Sequence, residues 1–170
     1  TGVSPSEVEL KSQIQFFNGV TSKEIQETLI KAAADLISEE TPNYQYVGGR
    51  LVNYAIRKEV YNGFEPWHIK KLVDRNTDSG FYDPELVTKY SDEEWDKIDS
   101  FIRHERDENL TYVAMEQLRG KYLCQNRVSG EIFETPQMCY ILIAASLFQD
   151  YPVSSRLQWV KEYYDAISLH

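Results

Sequence analysis

Apolar residues recur at intervals of three and four along most of the chain, and most such stretches follow residues that start helices. Val8, Leu10, Ile14 and Phe17 come after Ser4-Pro5-Ser6-Glu7, which offers a capping serine, a proline for the first helical position and a returning glutamate. Asn18-Gly19 ends that stretch. Thr21-Ser22-Lys23-Glu24 forms a second capping box ahead of Ile25, Leu29, Ala32, Ala33 and Leu36. Thr41-Pro42 opens a third helix with Val47, Leu51, Tyr54, Ala55 and Val60 as its apolar positions and Asn62-Gly63 as its end. Pro66 starts a short fourth helix carrying Trp67, Ile69, Leu72 and Val73. The polar stretch from Arg75 to Gly80 reads as a loop and as the boundary between two subdomains. Asp83-Pro84-Glu85 and Ser91-Asp92-Glu93-Glu94 open two more helices, the second with Trp95, Ile98 and Ile102 on one side.

One segment has a different rhythm. Tyr122-Leu123-Cys124-Gln125 and Glu131-Ile132-Phe133-Glu134 flank Asn126-Arg127-Val128-Ser129-Gly130, a pattern that predicts a small β-hairpin. Thr135-Pro136 then caps a strongly apolar helix through Tyr140, Leu142, Ile143, Ala145 and Leu147. A last helix from about Ser154 carries Leu157, Val160, Tyr163, Tyr164 and Ile167. The expected fold is mainly α with one small hairpin, and neither internal repeats nor low-complexity segments interrupt it.

Composition narrows the function classes. The chain has 170 residues, of which 42% are hydrophobic and 26% charged, close to the averages of globular domains. Its formal net charge of −9 opposes nucleic-acid binding, which needs clustered Lys and Arg to displace phosphate counterions. It equally opposes docking on anionic lipid. The longest apolar run, Cys139 to Phe148, is far short of a membrane span, and the polar, acidic first residues do not read as a signal peptide. The expectation is a cytoplasmic protein with two free thiols, Cys124 and Cys139, and no zinc or disulfide framework.

Motifs of chemistry are sparse. His104-Glu105-Arg106-Asp107 begins like a zinc-protease signature but lacks its second histidine, and reads as a solvated, charged helix end. The acidic run from Ser91 to Asp96 lacks the alternating ligands and central glycine of a calcium loop. No phosphate-binding glycine motif is present, and Gly48-Gly49, inside a helical pattern, points to close packing. The chain's 12 tyrosines and 3 tryptophans fall mostly on apolar faces, which favours core packing over base stacking. The start of the second helix, at Thr21 and Ser22, offers unpaired amides to an anion, as almost every helix does. No catalytic or metal-binding residues are visible.

Several long stretches carry a family resemblance. Lys31-Ala-Ala-Ala-Asp-Leu-Ile-Ser38, Asn43-Tyr-Gln-Tyr-Val47, Ile56-Arg-Lys58 and Tyr61-Asn-Gly-Phe-Glu-Pro66 resemble the ATP-cone of class I ribonucleotide reductase large subunits. Lys121-Tyr-Leu-Cys-Gln-Asn-Arg-Val-Ser-Gly-Glu-Ile-Phe-Glu134, the following Thr-Pro-Gln137, and Val160 to Ile167 resemble the hairpin and helices that precede the catalytic barrel. The likeness covers nearly the whole chain and is closest to enterobacterial and T-even phage members. It implies a partial ATP-cone over residues 1–64, lacking its opening hairpin and first helix, and a helical cap over 65–170.

The same resemblance implies a non-catalytic N-terminal regulatory and structural part of the reductase, ending before the barrel. Cys124 and Cys139 then do not match the family's catalytic cysteines. The implied partners are the barrel portion of the large subunit, the radical-generating small subunit, and ATP or dATP at a degenerate cone. Lys58 matches the family's phosphate-contacting lysine, and Ser22 stands where a threonine is usual. Gln26 and Ala55 occupy positions that often hold histidine in dATP-sensitive members, so weak or lost dATP inhibition is expected. A second reading is a naturally split subunit that docks on a separate barrel chain through Leu157, Val160, Tyr164 and Ile167.

Overall fold

The structure is a computed structural model that describes residues 2–13 and 19–169. Its helices are α1 (Pro5–Ser12), α2 (Ser22–Asp35), α3 (Tyr44–Tyr61), α4 (Ile69–Asp78), α5 (Pro84–Lys89), α6 (Asp92–Asp99), α7 (Tyr112–Gln117), α8 (Pro136–Phe148) and α9 (Val153–Ser168). A 3-10 turn, His104–Asn109, precedes α7, and a π turn, Leu118–Tyr122, prolongs it. The mainly α expectation holds. None of the described helices is long and apolar enough to cross a membrane.

Local signals set several helix starts. Thr21 accepts from the Glu24 amide at 3.2 Å while Glu24 returns to the Thr21 amide at 2.7 Å, so the predicted box closes. Ser91 and Glu94 do the same for α6. The box expected at Ser4 does not form, because Tyr44 donates its hydroxyl to the Glu7 carboxylate and accepts from the Ser4 amide at 3.0 Å. The described part of α1 ends at Ser12 with Gln13 left-handed, and the expected positions Ile14, Phe17 and Asn18 lie outside the described residues.

Tertiary partners correct three other expectations. The loop predicted over Arg75 to Gly80 is helical as far as Asp78. Its polar side chains are anchored: Arg75 Nη2 and Asn76 Nδ2 both donate to the Phe133 carbonyl, at 2.8 and 2.9 Å. The predicted hairpin forms no strands among the described residues, only an isolated antiparallel bridge between Gln125 and Ile132. Side chains take the groups the next rung would need, since Cys124 N donates to Glu134 Oε1 at 2.8 Å and the Phe133 carbonyl opposite it receives Arg75 and Asn76. On α9, Val160 and Tyr164 are fully buried within the chain, so they are not a docking face; Trp159 and Tyr163 are exposed instead.

The main core runs continuously from Ile30, Val52 and Ile56 through Leu72, Trp95 and Met115 to Ile141 and Tyr164. A small satellite cluster, Val8, Ala32 and Tyr44, ties α1 to α2 and α3. The buried stripe of α3 is Tyr44, Gly48, Gly49, Val52, Ile56 and Val60, rotated from the predicted one; Tyr54 is exposed and stacks on Phe64. The rotation follows the two glycines, which let α3 press against the start of α7: a Cβ on Gly49 would sit 2.1 Å from the Leu110 carbonyl oxygen. Cys139 is buried and Cys124 half-buried, both as free thiols.

Candidate functional site

The start of α2 lies against the C-terminal half of α3, and that packing brings Ser22 and Lys58 together. They line one depression of about 470 Å³ with Lys23, Gln26 and Glu27 of α2, with Ala55 and Glu59 of α3, and with Asn62 just after it. Arg119, from the π turn, and Ser129 and Glu131, from the turn after Asn126, complete it. The capping box of α2 fixes where Ser22 and Lys23 stand, while Ile30 and Ile56 bury the helix faces behind them. Gln26 presents an amide and Ala55 only a methyl group to the space.

The charges are balanced but unevenly used. Lys23 and Lys58 have no ion-pair or hydrogen-bond partner among the described residues. Arg119 is engaged: Nη1 donates to Glu27 Oε1 at 2.8 Å, and Nη2 lies 2.9 Å from Glu116 Oε1. Burial works to lower the Arg119 pKa, but the bonds to Glu27 and Glu116 hold it above its usual value. Glu59 is held by the Ile132 amide. Two unpaired ammonium groups facing a polar hollow are suited to an anion. No group of His, Cys, Asp and Glu among the described residues is arranged to hold a metal ion. A larger hollow of about 810 Å³ between α1, α2 and α3 is walled by apolar residues such as Val8, Leu29 and Val47, and offers Glu9 as its charged group.

Sequence reading missed two things. Arg119 belongs to the depression although it is 92 positions from its partner Glu27. Asp107, taken for part of a solvated helix end, is fully buried. Gln137 Nε2 donates to Asp107 Oδ1 at 2.8 Å, Tyr164 donates to Gln137 Oε1 at 2.6 Å, and the Arg103 amide donates to the Tyr164 hydroxyl at 2.8 Å. Asp107 Oδ2 has no partner. The 3-10 turn, α8 and α9 are thus joined by one polar chain.

Burial pushes the Asp107 carboxyl up to about 7, against the opposing pull of the Gln137 bond and the Arg57 charge. A folded state that keeps its proton where the unfolded chain has lost it becomes less stable as pH rises, here across the interval from about pH 4 to 7. Burial pushes His104 down to about 4, which acts in the opposite direction below about pH 6.5. Asp107→Asn leaves the histidine in place and isolates the carboxyl. Urea unfolding should show the stability difference between the two proteins moving in the variant's favour by about 1–3 kcal/mol between pH 5 and pH 8. A constant difference across that range would mean that Asp107 is ionised throughout.

Residues 108–170 match the family described as ribonucleotide reductase, all-alpha domain. The chain is 51% identical to ribonucleoside-diphosphate reductase 1 subunit alpha of Escherichia coli over 166 residues, covering 98% of this chain and 22% of that protein. It is 51% identical over 170 residues to the subunit alpha of Haemophilus influenzae and 42% identical over 168 residues to that of Enterobacteria phage T4. The chain spans 22% of the length of each of these relatives.

Proposed function

We propose, from the premise that this chain is homologous over nearly its whole length to the N-terminal region of ribonucleotide reductase alpha subunits, that it serves as the regulatory and structural front of such a reductase. The assembly would convert ribonucleoside diphosphates to deoxyribonucleoside diphosphates in the cytoplasm. On this reading the catalytic cysteines belong to the rest of the large subunit, and Cys124 and Cys139 take no part in the chemistry. Residues 1–64 act as a degenerate ATP-cone and residues 65–170 as the cap of the barrel. The barrel and the radical-generating small subunit are its protein partners. Exposed Tyr151, Trp159 and Tyr163, gathered around Phe148, give it an apolar face suited to a larger assembly.

The observation that carries the regulatory part is the meeting of Ser22 and Lys58 at one anion-suited depression. ATP or dATP would place its phosphates against Lys58 and Lys23, with the Ser22 hydroxyl as a further donor. Ala55 offers no polar contact, which favours weak discrimination of dATP. Calorimetric titration of the chain with ATP and with dATP, beside Lys58→Ala, tests this. Micromolar binding that weakens about tenfold or more in the variant is the expected result, since a charged hydrogen bond contributes roughly 1.5–3 kcal/mol. Binding that is identical in both proteins would remove Lys58 from the site.

A further inference from the structure

The depression holds its own competitor. Arg119 is the one cation of the site that is already occupied, and its occupant is a carboxylate of the site's own wall: Glu27 Oε1 and Oε2 lie 2.8 and 3.4 Å from the two guanidinium nitrogens. Two parallel N–H···O contacts are the way arginine also grips a phosphate. Resting on the nucleotide reading above, we propose that Arg119 is the third phosphate-binding cation, and that Glu27 is an internal stand-in which an entering polyphosphate displaces.

Three features support this. Arg119 lines the same hollow as Lys23 and Lys58, so a chain of phosphates entering there meets all three. Glu116, one turn before it, keeps its own contact with Nη2 at 2.9 Å and orients the guanidinium without closing the hollow, since Glu116 does not line it. The Glu27 side chain is 45% exposed, so its release into water is inexpensive compared with the release of a buried partner.

The exchange has a structural consequence. The Glu27–Arg119 pair ties α2 to the π turn that prolongs α7, whereas a phosphate on Arg119 would replace that tie with one that runs through the ligand. Occupancy of the hollow would therefore be felt at the turn Asn126–Gly130, because Gln125 Nε2 donates to the Arg119 carbonyl at 2.9 Å.

The test is calorimetric titration of the wild type, Glu27→Gln, Arg119→Gln and the double variant, with inorganic tripolyphosphate and with ATP as probes. Glu27→Gln should tighten both probes about two- to fivefold, the worth of an exposed ion pair. Arg119→Gln should weaken both about tenfold or more, and the double variant should behave like Arg119→Gln. A gain of affinity cannot come from misfolding, and unfolding midpoints check the losses. If the wild type binds through Lys58 but Glu27→Gln changes nothing, the stand-in role falls and the nucleotide reading survives. If no variant binds either probe, both fall.

Discussion

Gly49→Ala will destabilise the protein by about 2 kcal/mol or more, although alanine is the better helix former by up to about 1 kcal/mol. The added methyl would lie 2.1 Å from the Leu110 carbonyl oxygen and 3.0 Å from the Thr111 carbonyl carbon. Both are backbone atoms just before α7, and Thr111 caps that helix by accepting from the Ala114 amide. No rotamer change relieves the contact; α3 and the start of α7 must separate. The neighbouring Gly48→Ala is the milder comparison, because its methyl would lie 3.1 Å from the Tyr112 Cβ, a shortfall of only a few tenths of an ångström. Thermal unfolding should place the Gly49 variant roughly 4–8 °C below the wild type, since each kcal/mol moves the midpoint of a domain of this size by about 2–4 °C. An unchanged or raised midpoint would show that α3 and α7 are not in such close contact.

The second large effect belongs to Glu94. Its carboxylate closes the α6 capping box and also meets Arg156 of α9, whose Nε donates to Glu94 Oε1 at 2.7 Å. The pair is nearly buried, with side chains 8% and 12% exposed. Arg156 further donates to the Gln149 carbonyl at 3.1 Å and covers the Tyr90 ring at 4.5 Å. Glu94→Gln keeps a residue able to complete the box but leaves Arg156 without its countercharge, at a cost of about 3–5 kcal/mol. Combining it with Arg156→Met removes the stranded charge and should recover part of that loss. Urea unfolding of the single and double variants measures both. A loss below about 1 kcal/mol in Glu94→Gln would mean that the pair behaves as a solvated one.

These two residues also mark where reading a sequence succeeds and stops. Glu94 was legible as the third residue after a capping serine, because a capping box is local, and its box with Ser91 is in place. Its ion pair with Arg156 was not legible, since nothing within a helical period connects positions 62 apart. Gly49 was legible as a small residue in a helix, which suggests close packing, but not which backbone approaches it. The two faces read along α3 and α9 failed in part for a related reason. Apolar spacing shows that a helix has a buried side, while the neighbours on each flank decide which apolar residues are covered.

The site divides in the same way. Ser22 and Lys58 were marked by resemblance to a known family, and α2 and α3 pack so that both line one hollow. Arg119 carried no signal, because its place depends on how α7 lies across α3. Asp107 was misread because charge in a sequence predicts exposure on average, and here Gln137 and Tyr164 supply a buried chain of hydrogen bonds.

By itself, then, the sequence determined what depends on short separations: the helical class, most of the helix starts, the two free cysteines and the acidic balance. Tertiary structure alone decided whatever depends on a partner far along the chain. Gln125–Ile132 stayed a single bridge because Glu134 took the Cys124 amide that the next rung would use, and α4 ran on to Asp78 because the Phe133 carbonyl received its polar side chains. Backbone groups must find partners when buried, and a local pattern shows that need without showing which distant residue meets it.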